Sequence, residues 1–570
     1  MRKKKILAGL LAVSMVVTSL TGCGGSGGGG GKAKTESKKK NKDGDKKIFR
    51  RSTGSVIVGL NPILNTSAPD DAAHNLIAEP LIRYVTGPDN TTIEKPAAAE
   101  SYEVSEDGKT YTFHLRKDMK WSDGKPFTAH DYAYTLKKMA DPATGATAAW
   151  LFCGIVENFE ESLYEKGKTP DDVGIEAPDD TTLVIRLLHP TAYFPEILHF
   201  LYPVQEEAYE KWGDKYGTTV EMSVSSGPFK PKKWDQNTEF QVERNANNWN
   251  AKNVQLDEIH IKIIQDSATA IQAFLSGQID VTGTSDPSWQ QKIAEAGISE
   301  MVKVPSDAAE FLMFNLDNEF LKNTKVRQAL AIGFSRDDYV TTICDGNAEP
   351  AYSLIPDTMK VGDATYTDLV DHKNDFIKEL EKENPDPKAL MTEGVKELGF
   401  NDPSEVTLRF ASRGTSEYSK KIAELYKQEW EKNLGINVEI DMMEWNIMWD
   451  KIDAGDFDVA LGGWTPEYNE PTVYLNIFEP KAGYFNADKI GWKDENADKY
   501  SELLTQAKDI VDPKEKADIY LEAERILEMN AIIAPEYWGI SPAYIANRVE
   551  NYYIATVGHI DWSEVSVKTE

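Results

Sequence analysis

The chain has 570 residues, and its 63 Lys+Arg against 93 Asp+Glu produce a formal net charge of −30 at pH 7. This acidic balance argues against nucleic acid as a partner, because binding to phosphates requires a basic face. Hydrophobic residues make up 41% of the chain and aromatic residues 10%, which is enough for several cores and predicts about three or four domain-sized units.

The first 22 residues are predicted to be a signal peptide. Basic residues 2–5 precede the apolar run 6–17, which is too short to span a bilayer comfortably. The next stretch, Leu20–Cys23, resembles the lipobox of bacterial lipoproteins, in which the cysteine is diacylated and becomes the new N-terminus. An ordinary signal peptide with a chance cysteine is the alternative. We therefore expect Cys23 to anchor the chain by lipid on the outer face of the bacterial cytoplasmic membrane.

Residues 23–47 are predicted to be a flexible tether. Gly, Ser and Lys dominate residues 24–47 and apolar residues are almost absent, so this segment cannot bury enough surface to offset its ordering entropy. Two interpretations of its lysines stay open: contact with anionic headgroups, or a merely solubilising linker.

The remaining chain alternates between strand and helix patterns, which predicts an α/β fold with mixed sheets. The Asp512-Pro513 pair indicates a helix start. Gly435 indicates the end of a helix in which five residues lie near one face: Ile422, Leu425, Tyr426, Glu429 and Leu434. Strands are predicted at residues 55–60, 111–116, 181–187, 239–244, 258–264, 311–316, 406–410, 436–442 and 457–464.

The sequence contains no pattern that indicates an enzyme, a metal site or a cofactor. It has no Walker A loop and no G-x-S-x-G elbow. The eight histidines are scattered, and no CxxC or HExxH spacing occurs. Besides Cys23 there are only Cys153 and Cys344, which are expected to be two buried thiols, with a disulfide between them as the alternative.

Four stretches, in this order along the chain, resemble the family 5 extracellular solute-binding proteins of peptide ABC importers. Each predicts a turn or a helix boundary: Trp121–Asp131 with Thr128 or Asp131 as a helix cap, Ser225–Phe229 as a turn into a strand, Ala270–Asp280 as a helix ending in Gly, and Val326–Arg336 as one helix. The resemblance runs from about residue 48 to about residue 550. It implies the type II, cluster C fold of periplasmic binding proteins, in which two lobes and an extra inserted domain surround a central cleft.

The same resemblance implies a division into lobes. Lobe I would combine residues 48–78, 203–303 and 540–570, the inserted domain II would be 79–202, and lobe III would be 304–539. Two connecting strands would absorb the rotation that closes the cleft on a ligand. The closed form, which we expect to be a monomer, would then dock on the permease subunits of the transporter without chemistry on the ligand.

The segment Gly462–Thr472 (GGWTPEYNEPT) resembles the stretch that peptide-binding members place along the cleft. There, an acidic residue three positions after the Trp pairs with the peptide α-amino group, and here that position is Glu467. Enclosing this cation in a dry cleft is costly unless a counter-charge meets it. Gly463 and Thr465 would offer backbone groups to the ligand, like an added strand. The further candidate ligand contacts are Trp464, Tyr468, Asn469 and Trp445, with core packing as the alternative for the aromatic residues.

The chain also departs from the family pattern. Positions where some members hold the carboxylate of a short peptide with basic residues are Leu461, Ile452 and Ser419 here. Arg413 is a candidate cation, with a solvent-exposed arginine as the alternative. Several ligand classes therefore stay open on the same fold: an oligopeptide, a dipeptide, a nickel complex, an oligosaccharide, or a peptide pheromone that the protein senses without transport.

Overall fold

The computed structural model describes most of the chain after residue 45. Signal peptide 1–22, Cys23 and nearly all of the predicted tether lie outside the described residues. The described ranges are 46–88, 92–344, 346–370, 375–414, 417–481, 483–554 and 559–568, without the side chains of residues 305–306, 417–418 and 445–446.

Within these ranges the structure has 21 strands. They are β1 Ile48–Thr53, β2 Ile82–Thr86, β3 Thr92–Pro96, β4 Ala99–Val104, β5 Thr110–Leu115, β6 Ile175–Asp179, β7 Thr182–Arg186, β8 Phe229–Asp235, β9 Glu239–Arg244, β10 Glu258–Ile263, β11 Val281–Gly283, β12 Ser299–Phe314, β13 Ala348–Pro350, β14 Lys360–Val361, β15 Ala364–Thr365, β16 Thr407–Arg413, β17 Asn437–Met443, β18 Val459–Trp464, β19 Ile533–Ala546, β20 Val549–Glu550 and β21 Ser566–Val567.

The described ranges also contain 18 α-helices, none of which is long and apolar enough to cross a membrane. They are α1 Ala68–Ile77, α2 Ala129–Met139, α3 Phe159–Leu163, α4 Phe194–Ile197, α5 Glu206–Trp212, α6 Ser267–Leu275, α7 Pro287–Ala296, α8 Thr324–Ile332, α9 Arg336–Thr342, α10 Tyr366–Leu369, α11 Phe376–Glu383, α12 Pro387–Glu397, α13 Glu417–Leu434, α14 Trp445–Asp453, α15 Thr472–Leu475, α16 Ala487–Ile490, α17 Glu495–Ala507 and α18 Pro513–Met529.

Three larger sheets organise the fold. One four-stranded sheet has the order β1-β10-β9-β8, and a second has the order β4-β5-β7-β6. The largest sheet has the order β11-β19-β12-β18-β16-β17, with β13 also paired to β19. Parallel pairs, such as β1 with β10 and β16 with β17, occur beside antiparallel ones, so the predicted mixed α/β architecture is confirmed.

The long antiparallel strands β12 and β19 run the length of the largest sheet. The half of β12 that ends at Phe314 also pairs with β18, whereas the far end of β19 pairs with β11. Between these halves the register of β12 shifts from Pro305 to Ala309. Asp307, inside that shift, has a φ of 45°, which is unusual for a residue with a side chain.

Local signals predicted most of the elements correctly. Asp512 caps α18 by accepting a hydrogen bond from the Glu515 amide (2.9 Å), and Thr128 caps α2 in a capping box with Asp131. Gly435, just after α13, has a φ of 77°. Strands β9 and β10 lie at the predicted residues 239–244 and 258–263.

Two predicted elements are wrong. Residues 55–60 are not a strand, because the amides of Val58 and Gly59 donate to Oδ1 of Asp70 on α1, at 2.7 and 3.3 Å, instead of to a neighbouring strand. The helix predicted at 326–336 is divided into α8 and α9. Ser335 caps α9 by accepting from the Asp338 amide at 3.1 Å, and a cap cannot continue the preceding helix.

The two cysteines that the structure describes, Cys153 and Cys344, form no disulfide with each other. Cys344 is buried, as predicted, whereas Cys153 is half-buried. Burial raises the pKa of the Cys153 thiol to about 11, so it stays protonated at neutral pH.

Candidate functional site

The predicted ligand segment begins on β18, in the middle of the largest sheet. On one side, β18 pairs with β12 along its whole length, from Val459↔Phe314 to Trp464↔Ala309. On the other side, its register with β16 covers only Val459 and Ala460 within the described residues. The edge of β18 from Leu461 to Trp464 is therefore left for another strand to pair with.

Neighbouring side chains leave no room for a Cβ at the two glycines of β18. A Cβ on Gly462 would stand 2.6 Å from Cε2 of Phe311, and a Cβ on Gly463 would stand 2.8 Å from Oε2 of Glu310. Both side chains project from β12, directly opposite in the register. Gly463 thus lets the Glu310 carboxylate approach the backbone of β18, a contact that the sequence pattern did not indicate.

Of the two acidic residues in this segment, Glu470 is hydrogen-bonded to other residues of the protein. It is buried, and its carboxylate accepts hydrogen bonds from the Tyr520 hydroxyl at 2.6 Å and from the Thr472 amide at 3.0 Å. Burial raises the pKa of Glu470, which favours its neutral form. Glu470 is therefore a structural acid whose hydrogen bonds are made inside the protein.

Glu467 lies half-buried in the loop that follows β18. The indole Nε1 of Trp464 donates a hydrogen bond to its Oε2 over 3.3 Å. Burial raises the pKa of Glu467 to about 7, against the lowering effect of this bond. Within the described part of the chain, no Lys, Arg or His forms an ion pair with it. The carboxylate is thus desolvated without a counter-charge, as a site for an ammonium ion requires.

An aromatic wall stands beside this carboxylate. The ring of Trp464 packs on Tyr484 (5.5 Å between centroids), and Tyr484 in turn packs edge-on to Trp449 (5.7 Å). Tyr484 is 43% exposed, so part of this aromatic surface remains open. Sequence reasoning missed Tyr484 and Trp449, because ordinary core aromatic residues give the same pattern.

Tyr468 and Asn469 contact residues 193–196 rather than open space. Tyr468 is buried and stacks on Tyr193 with 4.3 Å between ring centroids and 6° between planes. The backbone amide of Asn469 donates a hydrogen bond to Oε2 of Glu196 at 2.6 Å. Tyr468 is therefore packed in the core, which was the alternative expected for the aromatic residues. The side-chain oxygen Oδ1 of Asn469 is also buried, but it has no hydrogen-bond partner.

Arg413 is not a solvent-exposed arginine. It lies half-buried at the end of β16, and its guanidinium forms an ion pair of 2.6 Å with Oε2 of Glu310. Burial raises the pKa of Glu310, and Arg413 opposes that shift. Glu310 lies against Gly463, so the candidate cation Arg413 already has a carboxylate partner inside the protein.

The remaining predicted positions differ in their accessibility. Thr465 is exposed directly after β18. Trp445 is the first residue of α14, but its side chain lies outside the described part of the chain. Leu461 and Ile452, which occupy the positions of the family's basic residues, are buried in the apolar core.

Comparison with known proteins supports the assignment of the fold. The model of the bacterial extracellular solute-binding proteins, family 5 Middle, matches residues 94–486. The periplasmic oligopeptide-binding protein OppA of Salmonella typhimurium is 31% identical over 89% of this chain and 90% of its own length. The oligopeptide-binding protein OppA of Bacillus subtilis is 28% identical over 94% of each chain.

A solved structure shows the same similarity in three dimensions. The crystal structure of Haemophilus influenzae OppA in complex with RPPGFSPFR superposes with a TM-score of 0.73 at 25% identity, covering 92% of this chain and 99% of that one. The match to the family model over more than half of the sequence agrees with the fold and with the four stretches that suggested it. The chain therefore belongs to the family 5 bacterial extracellular solute-binding proteins.

Proposed function

We propose that this protein is the extracytoplasmic substrate-binding component of an ABC importer and that it captures oligopeptides in a cleft beside β18. The observation that carries the proposal is the carboxylate of Glu467, half-buried, held by Trp464 and without an ion-pair partner among the described residues. A peptide α-amino group is a cation at neutral pH and supplies the missing charge. The relatives named above are oligopeptide-binding proteins, and one was crystallised with a nine-residue peptide.

The open edge of β18 supports recognition of the peptide main chain. An extended peptide along Leu461–Trp464 would add a strand to the sheet and exchange backbone hydrogen bonds there, whatever its side chains are. Thr465, exposed at the end of the strand, would continue these contacts. Side-chain pockets beside Trp464 and Tyr484 would favour apolar residues without demanding one.

The ligand is proposed to be longer than a dipeptide, with a C-terminus that no cation clamps. Leu461 and Ile452 are apolar and buried, and Arg413 is paired with Glu310. A short peptide would leave its carboxylate near these groups without a counter-charge, which is costly in a desolvated cleft. A longer peptide places its free carboxylate in solvent.

The three-lobe division and the anchoring belong to the same proposal. The register shift in β12 between Pro305 and Ala309 is a candidate for the hinge between lobe I and lobe III, since the two connecting strands β12 and β19 meet there. Cys23 would carry the lipid that holds the monomeric binding protein at the outer face of the cytoplasmic membrane. We propose no catalytic residue and no cofactor, because binding and release of an unchanged peptide need neither.

The test is titration calorimetry with a free-amine peptide of eight or nine residues and its N-acetylated twin. Wild-type protein should bind the free-amine peptide better by at least about 10-fold, since a stranded buried charge costs about 2–5 kcal/mol. In Glu467→Gln this advantage should disappear. Glu439→Gln is the matched control, because Glu439 is an exposed glutamate on β17 of the same sheet. Equal binding of both peptides by the wild type would contradict the role of Glu467, and no binding of either would contradict the peptide ligand.

A further inference from the structure

Three residues that are distant in sequence meet where three chain segments converge. Asp71 lies on α1, His199 lies in the short 3₁₀ turn Leu198–Phe200, and His559 lies near the C-terminus, where its backbone pairs with Val85. One potential ligand atom from each of these three side chains lies within 4.8 Å of the others. None of them takes part in the cleft beside β18.

The two imidazoles are in an unusual contact. The rings of His199 and His559 stack with 3.3 Å between centroids and 16° between planes. The Tyr202 hydroxyl lies 2.5 Å from Nε2 of His199 and donates to Oδ1 of Asp71 at 3.1 Å, so it joins two of the three residues. His199 is only 2% exposed, and its Nδ1 is buried without a hydrogen-bond partner. A buried ring nitrogen of this kind normally has a partner.

The charges next to the cluster favour a cation as the ligand. Asp70 adds a second carboxylate, held in place by the amide of Val58 at 2.7 Å and the hydroxyl of Ser67 at 2.6 Å. The nearby cation Arg83 forms an ion pair of 3.0 Å with Glu79, so the carboxylates of Asp70, Asp71 and Glu79 outnumber this one guanidinium.

We propose that Asp71, His199 and His559 form a binding site for a divalent transition metal of the Zn²⁺ class. Two imidazoles and one carboxylate are a donor set that Zn²⁺ accepts, with a water in the fourth position. A Zn²⁺ ion holds its ligand atoms about 2.0–2.2 Å away, so a small rotation of the two stacked rings closes the cluster around it. His559 keeps partial solvent exposure, which provides a path of entry.

The site would be structural and separate from peptide capture. An ion bound there ties α1, the turn Leu198–Phe200 and the C-terminal segment together, whereas those segments otherwise share only side-chain and backbone contacts. Ions that bind the folded chain and not the unfolded chain raise its stability by mass action. Glu467 and β18 are not involved, so peptide affinity should be independent of the metal.

The experiment uses the mature chain stripped with a chelator and then titrated with Zn²⁺ alone. The expected results are saturation at one ion per chain, a higher melting temperature, and, with Co²⁺ as a spectroscopic substitute, visible absorption bands typical of a four-coordinate N/O site. His559→Ala should weaken Zn²⁺ affinity by at least about 100-fold, since even partners of a metal ligand contribute about 10–100-fold. Asp71→Asn should weaken it too, while it preserves side-chain volume.

His114→Ala is the matched control, because the half-exposed His114 also lies beside an acid, with Nε2 3.6 Å from Oε1 of Glu103. It should bind Zn²⁺ like the wild type. Unchanged peptide binding by each variant shows that it is folded. The proposal is overturned if the folded wild type shows no saturable binding, or if His559→Ala and Asp71→Asn, both folded, bind Zn²⁺ as tightly as the wild type, which would assign the ion to surface carboxylates.

Discussion

The indole Nε1 of Trp464 donates a hydrogen bond to Oε2 of Glu467, three residues later in the chain, over 3.3 Å. The strand β18 ends at Trp464, so the rigid sheet positions the indole and the indole positions the carboxylate. A loop carboxylate would otherwise sample many rotamers, and a ligand would have to order it on binding. This bond therefore holds the carboxylate of Glu467 in place, which would favour the ammonium group that we propose it binds.

The pH dependence of peptide affinity follows from the pKa of Glu467, which burial raises to about 7 in the ligand-free protein. An ammonium group favours the ionised carboxylate, so the pKa of Glu467 is lower in the complex. Affinity for a free-amine peptide should therefore fall below pH 7, approaching about tenfold per pH unit, and should fall again above the α-amino pKa of about 8. Calorimetry from pH 5 to pH 9 measures this profile. The fall in affinity below pH 7 should disappear in Glu467→Gln and with an N-acetylated peptide. If the fall is unchanged, a group other than Glu467 causes it.

The ion pair between Arg413 and Glu310 should contribute to stability rather than to ligand binding. Arg413→Met leaves Glu310 partly buried without its cation, which we expect to cost about 1–3 kcal/mol of unfolding free energy after allowance for partial exposure. Arg413→Met combined with Glu310→Gln removes both charges and should recover most of the loss. Urea unfolding monitors both variants.

A separate measurement tests whether Arg413 binds the ligand carboxylate in addition to stabilising the protein. Amidation of the peptide C-terminus should leave the affinity of the wild type unchanged, because the guanidinium is held by Glu310 at 2.6 Å. A loss of affinity on amidation, absent in Arg413→Met, would mean that Arg413 leaves Glu310 to bind the ligand carboxylate.

The two glycines of β18 should respond differently to a methyl group. In Gly462→Ala, the new Cβ would stand 2.6 Å from the ring of buried Phe311, which has no room to move, so we expect a loss of about 1–3 kcal/mol. In Gly463→Ala, the Cβ would meet the flexible end of Glu310 at 2.8 Å, so the cost should be smaller. It should be smaller still when Gly463→Ala is added to a Glu310→Ala background, where the clashing side chain is absent, although Glu310→Ala has its own cost because it breaks the ion pair with Arg413. Melting temperatures of the single and double variants test this order. Equal costs at the two positions would contradict it.

Two buried glutamates on α18 should make the protein more sensitive to alkaline than to mildly acidic conditions. Glu528 and Glu524, one helical turn apart, accept hydrogen bonds from the amides of Leu354 at 2.7 Å and Ile355 at 3.0 Å. Burial raises the pKa of both, to about 8 for Glu524. A carboxyl group whose folded-state pKa exceeds its unfolded value of about 4.3 contributes stability that is full below that value and is lost as the pH rises through the folded pKa.

Glu528→Gln removes one of these charges without changing the side-chain shape. It should raise the melting temperature by about 1–4 °C at pH 8.5 and by less at pH 5.5. Differential scanning calorimetry at both values provides the comparison, with the exposed Glu439→Gln as the control. An equal shift at both pH values would show that the charge of Glu528 is not responsible.

Short-range signals in the sequence predicted much of this protein. Alternation located β9 and β10, the Asp512-Pro513 pair located the start of α18, and four stretches in order indicated the family. These features depend on a few neighbouring residues, so they can be read without the fold. The spacing from Trp464 to Glu467 belongs to the same class, although the role of Glu467 as a ligand anchor stays a prediction.

The tertiary structure alone decided which distant residues meet. Residues 55–60 have a strand pattern, yet the amides of Val58 and Gly59 donate to Asp70 on α1 rather than to a neighbouring strand. The contact of Glu310 with Gly463 and Arg413, and that of His199 with His559, join residues more than 100 positions apart. Periodicity and capping are properties of one segment, whereas burial and ion pairing depend on which segments pack together, and only the folded chain determines that.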